Sequence, residues 1–156
     1  MTFLRLTSFF AAAALALAAV ASGALTPKDY RAQANAACAK ANVQSKALGQ
    51  LENPSAARVE KWTIAGLAIG RQKYASLHAL QPPASLAAAH RRALGLLSQE
   101  LAIVAKEVAQ MQAGMDPIKA IDAMGLTGLR LVMRESAAWG SAGVAVCSSG
   151  GFSVHA

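Results

Sequence analysis

The feature that most constrains this chain is a helical stripe that follows the turn at Pro82-Pro83. Beyond it, apolar or near-apolar residues recur every three or four positions, which places them on one face of an α-helix. They are Leu86, His90, Leu94, Leu97, Leu101, Val104, Val108 and Met111. The opposite face is polar and carries Arg91, Gln99, Lys106 and Gln110. Such a helix buries one side against partner helices, so the sequence predicts a small helical bundle.

Three other segments begin with a capping residue followed by proline, namely Thr26-Pro27, Asn53-Pro54 and Asp116-Pro117. Proline is favoured at the first helical position, so each pair predicts a helix start. The second helix is expected to reach Leu80, and Gly140 is expected to close the fourth. Short connections between helices favour antiparallel neighbours. The predicted fold is therefore all-α, an up-down-up-down four-helix bundle with a C-terminal tail tied back by a disulfide.

The fourth predicted helix contains glycines that weaken it. Its expected inward face comprises Ile118, Ile121, Met124, Gly125, Gly128, Leu129, Val132 and Trp139. Each interior glycine costs about 1 kcal/mol relative to alanine, so this helix is expected to be the loosest or locally irregular. Residues 141–156 are rich in Gly and Ser, and residues 143–147 suggest a short extended run.

Residues 1–24 have the pattern of a cleaved signal peptide. Arg5 supplies the positive start, residues 9–20 are apolar, and Ala19-Val20-Ala21 or Ser22-Gly23-Ala24 fits a small-residue cleavage site. A membrane anchor would need nearer to about 20 apolar residues. The protein is expected to be exported, to the periplasm or outside the cell, with no stable membrane span after cleavage. The expected organisation is a signal peptide at 1–24, the bundle at 25–147 and a flexible tail at 148–156.

Cys38 and Cys147 are the only two cysteines. In an oxidising compartment two such thiols are expected to form a disulfide. Cys38 lies roughly 18 Å along the first helix, and the chain from Gly140 to Cys147 can stretch about 26 Å. The link is therefore feasible in a bundle whose fourth helix ends beside the start of the first. A metal thiolate pair or a redox Cys-x-x-Cys would need a different spacing.

Several motifs, taken together in order and spacing, resemble a group of small secreted helical proteins from bacteria. In that group the pattern runs Ala-x-x-Ile-Cys, then Leu-x-Pro-Pro-Ala, then a terminal Leu-Gly-x-x-x-Cys. The matching stretches here are residues 30–38, residues 80–84 with His90 behind them, residues 114–116 and residues 143–147. The resemblance implies export and a helical fold. The group has no assigned activity, so the resemblance implies no chemistry.

The charge of the chain bears on its partners. Of the 15 Lys and Arg residues only Arg5 lies in the signal peptide, which holds none of the 8 acidic residues, so the mature net charge is +6. Solvated helix faces account for such an excess, and weak adhesion to anionic envelope polymers or lipid headgroups is the alternative. The densest basic pair, Arg91-Arg92, has no interleaved aromatic residues, so nucleic acid is not an expected partner.

No motif in the chain predicts catalysis. Ser98 and Ser136 lack a Gly-x-Ser-x-Gly elbow, and neither Glu-x-x-His pairs nor Cys-x-x-Cys-His occur. Met111 and Met115 lie about 30 Å from His90 along the helix, too far for a shared copper site. The protein is expected to be no enzyme and to hold no cofactor or metal.

Two functional hypotheses remain. The first is a non-enzymatic interaction module, whose partner is an envelope protein or an anionic envelope component. The second is a carrier of a small apolar ligand in a cavity within the bundle. The residues expected to line that cavity are Trp62, Tyr74, His90 and Trp139.

His90 is the one titratable group on the apolar stripe. Burial and the two arginines that follow it would favour the neutral imidazole. That imidazole is expected either to hydrogen-bond a backbone group at the Pro82-Pro83 turn or to contribute to a ligand site.

Overall fold

The computed structural model describes residues 25–149, which form five helices and no strand. The helices are α1 (Pro27–Ala47), α2 (Ala56–His78), α3 (Ala84–Gln112), α4 (Pro117–Ser141) and α5 (Ala145–Ser148). The prediction of an all-α bundle is confirmed. The predicted signal peptide and all but the first two residues of the predicted flexible tail lie outside the described residues.

Each long helix packs against the next one in the chain, and the contact between α3 and α4 is the most extensive. The second helix, α2, also touches α4, and the short α5 packs against both α4 and α1. The core is therefore shared by all five helices. The up-down-up-down order of the four long helices stays a prediction.

The helix starts show which capping signals were correct. In α1 the backbone N–H of Asp29 donates to Thr26 Oγ1. In α4 the Asp116 carboxylate accepts from two backbone N–H groups of the first turn. The predicted start at Asn53-Pro54 is wrong, because Asn53 adopts a left-handed conformation with φ 44° and cannot serve as the extended cap. The cap of α2 is Ser55, whose hydroxyl accepts from the backbone N–H of Arg58.

The irregularity predicted for α4 is confirmed at Gly125, which has the non-helical angles φ 39° and ψ −137°. The predicted inward face is wrong in part, since Ile118 and Leu129 are 47% and 56% exposed. Beyond Gly125 the buried positions are Gly128, Leu131, Glu135, Ala138, Trp139 and Ala142. This stripe keeps a helical period but includes an acidic residue. The predicted face instead included Leu129 and Val132, each one position beyond a buried residue, and omitted Glu135.

The predicted extended run at residues 143–147 is also wrong, because the chain forms α5 there. Gly143 has φ 72°, a conformation that favours glycine, and it turns the chain directly after α4. Two side chains of α1 then hold the turn: Arg31 Nε donates to the carbonyl of Ala142, and Asn35 Oδ1 accepts from the backbone N–H of Val146. These contacts favour a compact helical turn over a strand.

The predicted disulfide between Cys38 and Cys147 is confirmed. It joins α1 to α5 across a sequence separation of 109 residues. Both cysteines are buried, with exposed fractions of 1% and 3%. The bond therefore ties the C-terminal turn into the core of the protein.

Candidate functional site

Tyr30 on α1 and His90 on α3 form a hydrogen-bonded pair inside the core, with 2.8 Å between the phenol oxygen and Nδ1. Burial lowers the pKa of His90, and the charges of His78 and Arg91 lower it further. Burial raises the pKa of Tyr30 to about 12. Both groups are thus held neutral. The partner of His90 is this phenol, and the predicted bond to a backbone group at the Pro82-Pro83 turn is not formed.

Trp139 of α4 is in contact with His90 and links this pair to α4. The two rings meet edge to face, with centroids 6.0 Å apart and planes at 74°. Trp139 is fully buried, and its indole N–H donates to Oε1 of Glu135 over 2.8 Å. A buried indole usually finds such an acceptor. Here the acceptor is a carboxylate one turn earlier on the same helix.

Glu135 is in turn paired with α2. Lys73 Nζ lies 2.9 Å from Glu135 Oε1, and the two side chains are only 12% and 3% exposed. Glu100 of α3 approaches the same carboxylate. Burial raises the pKa of Glu100 to about 7, and the negative charge of Glu135 raises it too, while Lys73 lowers it. Oε2 of Glu100 is buried and has no hydrogen-bond partner within residues 25–149. When Glu100 is protonated, the negative charge of Glu135 and the positive charge of Lys73 balance, and the net charge of the three side chains is zero.

Glu107 is a second acidic side chain in the core, seven residues beyond Glu100 on α3 and therefore on the same face. It is 4% exposed. Its Oε2 atom has no hydrogen-bond partner within residues 25–149. Burial raises the pKa of Glu107 to about 7. The core thus contains two carboxyl groups, Glu100 and Glu107, that change charge near neutral pH.

We call the connected set Tyr30, His90, Trp139, Glu135, Lys73 and Glu100 the polar row. It draws on all four long helices, and burial raises the pKa of one member, Glu100, to about 7. Two open depressions on the described surface lie elsewhere and include no member of the row. Among residues 25–149 no cluster of three His, Cys, Asp or Glu side chains has an arrangement suited to a metal ion. The row connects the four long helices within the core.

The four residues predicted to line a ligand cavity are only partly brought together. His90 and Trp139 are in contact, and Tyr74 packs against the same core while stacking on His78 with ring centroids 5.5 Å apart. Trp62 donates instead to the carbonyl of Gly49, just past the end of α1. From Tyr30 to Gly49 the chain covers roughly 28 Å of helix. Trp62 thus lies at the other end of α1 from His90, and the carrier hypothesis stays a prediction.

Sequence reasoning missed Lys73, Glu100, Glu107 and Glu135. A signal for them was present, because each acidic residue falls at helical spacing from buried neighbours. Glu100 follows Leu97 by three positions, and Glu107 precedes Met111 by four. A charged residue on an apolar stripe suggests a paired or protonated group. Its partner on another helix could not be identified from that spacing.

A second unusual feature is the outward side of α4, where large apolar side chains face solvent. Leu126, Leu129 and Met133 are 69%, 56% and 64% exposed, and we call these three the outer α4 face. Arg130 and Arg134 run along one edge of it. They also line a shallow, open groove between α3 and α4. Neither arginine forms an ion pair with any side chain in the described part of the chain.

No protein-family model, curated protein or solved structure matches this chain. Within residues 25–149 no helix has the length and hydropathy needed to cross a membrane.

Proposed function

We propose that the protein is an exported, non-enzymatic interaction module that binds a component of the cell envelope through the outer α4 face. One observation supports this most directly. Seven large hydrophobic side chains in the described residues are exposed, and five of them lie between Met115 and Met133. Scattered exposed hydrophobic residues need no explanation, but a concentration of this kind is typical of an interaction surface.

The rest of the fold keeps this surface in place. The inward side of α4 packs Leu131 and the fully buried Trp139 into the core. Its end is tied to α1 through α5 and the disulfide. A rigid support lowers the entropy lost when a partner binds. The surface is thus presented by a helix whose other side is fixed.

Export is part of the proposal. The pattern of residues 1–24 supports it, and so does a disulfide, since such bonds persist in oxidising compartments. The resemblance to small secreted helical proteins from bacteria belongs to the same proposal, and so does the up-down-up-down order of the four long helices. Detection of the disulfide-bonded chain in the periplasm or medium, lacking residues 1–24, would test this part.

The binding itself is tested by sedimentation of the disulfide-bonded protein with washed envelope from the source cells. Replacing Leu126 and Met133 by serine should remove most of the bound fraction, because the apolar contact is lost. The matched control is Val43→Ser on α1, where the valine is 68% exposed but lies away from α4. Equal binding by all three proteins would overturn the proposed function.

A further inference from the structure

We infer that the outer α4 face docks on a membrane surface that carries anionic phospholipids. This inference rests on the proposed function, since it names the partner of the same surface. The docked helix would lie parallel to the membrane, with its apolar side chains among the acyl chains and its arginines at the phosphate level.

The geometry of α4 suits that position. Leu126 and Met133 are two helical turns apart and point away from the buried Glu135. Leu129 stands beside them, and Arg130 and Arg134 follow on the other edge. An apolar strip with a basic margin is the pattern of helices that lie in the membrane interface. Ile118 and Met115, on the part of the chain before the non-helical Gly125, are exposed as well.

The arginines also have a place for a phosphate. They line the shallow groove between α3 and α4 together with Gln99. Guanidinium groups bind phosphate oxygens with two parallel hydrogen bonds, and Gln99 can donate another from its amide. Because neither arginine pairs with a carboxylate of the described residues, no existing ion pair has to break first.

Charge argues against a second copy of this chain as the occupant. A two-fold interface would place the outer α4 face of one copy on that of the other. Arg130 and Arg134 of both copies would then approach each other, and like charges oppose such contact. The predicted net charge of +6 on the mature chain adds to this repulsion, while it favours an anionic surface.

Shape argues for a lipid surface over a folded protein. The outer α4 face is a ridge of flexible Leu and Met side chains on one helix, with no Trp, Tyr or Phe among them. A protein partner would need a groove that matches this ridge. Such a groove contacts the bound helix on both sides of its apolar strip. A fluid bilayer adapts to a ridge without a preformed groove.

The test is co-sedimentation with vesicles of phosphatidylcholine alone and of phosphatidylcholine mixed with phosphatidylglycerol. We expect binding to the mixed vesicles, weak binding to phosphatidylcholine alone, and a decrease with added salt. Arg130→Gln and Arg134→Gln should each lower the partition constant about 5-fold. The Leu126→Ser/Met133→Ser variant should lose binding to both kinds of vesicle.

The matched control for charge is Arg91→Gln/Arg92→Gln, which removes two exposed arginines from α3, away from the outer α4 face. It should reduce binding less than Arg130→Gln/Arg134→Gln does. An equal loss in both double variants would overturn the inference, because attraction would then depend on net charge alone. Circular dichroism and the melting temperature of each variant show that a loss of binding is not a loss of fold.

Other outcomes separate the inference from the proposed function. Envelope binding that needs Leu126 and Met133, without binding to mixed vesicles, would overturn the lipid inference and leave the proposed function standing with a protein partner. Vesicle binding without envelope binding would overturn the proposed function instead. A dimer that the Leu126→Ser/Met133→Ser variant converts to a monomer would identify a second copy as the occupant and overturn the lipid inference.

Discussion

The phenol oxygen of Tyr30 lies 2.8 Å from Nδ1 of His90, so the first turn of α1 is hydrogen-bonded to α3 within the core. Neither residue is accessible enough to exchange this bond for one with bulk water, since their exposed fractions are 0% and 4%. The pair opens the polar row, which continues through Trp139 and Glu135 to Lys73. Each member has its partner on another helix or another turn. We therefore expect the row to fix how the helices are positioned relative to one another.

Removal of the Tyr30 hydroxyl tests the first member of the row. Tyr30→Phe should lower the free energy of unfolding by about 1 to 3 kcal/mol, because a buried imidazole nitrogen loses its partner. Urea denaturation measures the change. The control is Tyr74→Phe, since the hydroxyl of Tyr74 has no hydrogen bond with the residues described here, and its loss should cost less than about 0.5 kcal/mol. Equal losses would contradict a specific role for the Tyr30 to His90 bond.

Glu107 should make stability depend on pH in a defined direction. Its pKa is raised from 4.5 to about 7 in the folded protein, so the folded state binds more protons than the unfolded state between these values. Stability from this group is therefore present at low pH and is lost as pH rises through about 7. Glu107→Gln should match the wild type near pH 4.5 and become more stable towards pH 7. The difference should grow by up to about 1.4 kcal/mol per pH unit.

Urea denaturation of both proteins over this pH range checks the prediction. The difference between them cancels the other contributions. The raised pKa of Glu100 makes stability fall with rising pH, as that of Glu107 does. The lowered pKa of His90 has the opposite effect and makes stability rise with pH up to 6.5. The control Glu52→Gln removes one negative charge from an exposed position. A difference between Glu107→Gln and wild type that is flat with pH would show that Glu107 is not buried.

Lys73 is expected to be needed for burial of the two carboxyl groups near it. Lys73→Met keeps the length of the side chain and removes the ammonium 2.9 Å from Glu135. It should lower the free energy of unfolding by about 3 kcal/mol at pH 7, because it leaves a buried carboxylate without its counter-charge. The matched control is Arg71→Met, an exposed position on the same helix. A loss no larger than that of the control would mean that water replaces the ammonium.

The disulfide should contribute strongly to stability, because it closes a long loop. For a separation of 109 residues the chain-entropy argument gives about 4 to 5 kcal/mol. The melting temperature of the Cys38→Ala/Cys147→Ala variant should therefore be well below that of the oxidised protein. Mass analysis without reductant should find the native chain lighter by the two thiol hydrogens. Free thiols on both cysteines in exported material would contradict the bond.

Two glycines should respond differently to the same substitution. A Cβ atom at Gly70 would lie 2.6 Å from Cδ2 of Leu101, so the leucine must move. A Cβ atom at Gly95 would meet nothing within 4 Å, and alanine is favoured over glycine in a helix by about 1 kcal/mol. The helix preference applies to both positions, so only the displaced leucine separates the two variants, and Gly95→Ala should be the more stable one. Thermal unfolding of both proteins measures the difference. The reverse order would show that Leu101 adjusts freely.

Local signals in the sequence were enough for most helix bounds. The Pro82-Pro83 turn and the apolar stripe predicted α3, and the structure has that helix at Ala84–Gln112. Asp116-Pro117 predicted the start of α4 for a similar reason, since its capping bonds reach only two and three residues along the chain. The disulfide was also predictable, because two cysteines in one chain permit a single pairing. All of these predictions rest on interactions between residues that are close in sequence, or on composition.

Only the tertiary structure decided which residues of α4 are buried and how the tail folds. Glu135 can enter the core because Lys73, 62 residues earlier in the chain, supplies the opposite charge, and an unpaired carboxylate would be too costly there. With Glu135 inside, Leu129 and Met133 turn outward, against the preference of their side chains. The tail becomes α5 because Asn35 and Cys38 of α1 bind it. Hydropathy along the chain carries no information about partners that distant, so neither result could be obtained from the sequence alone.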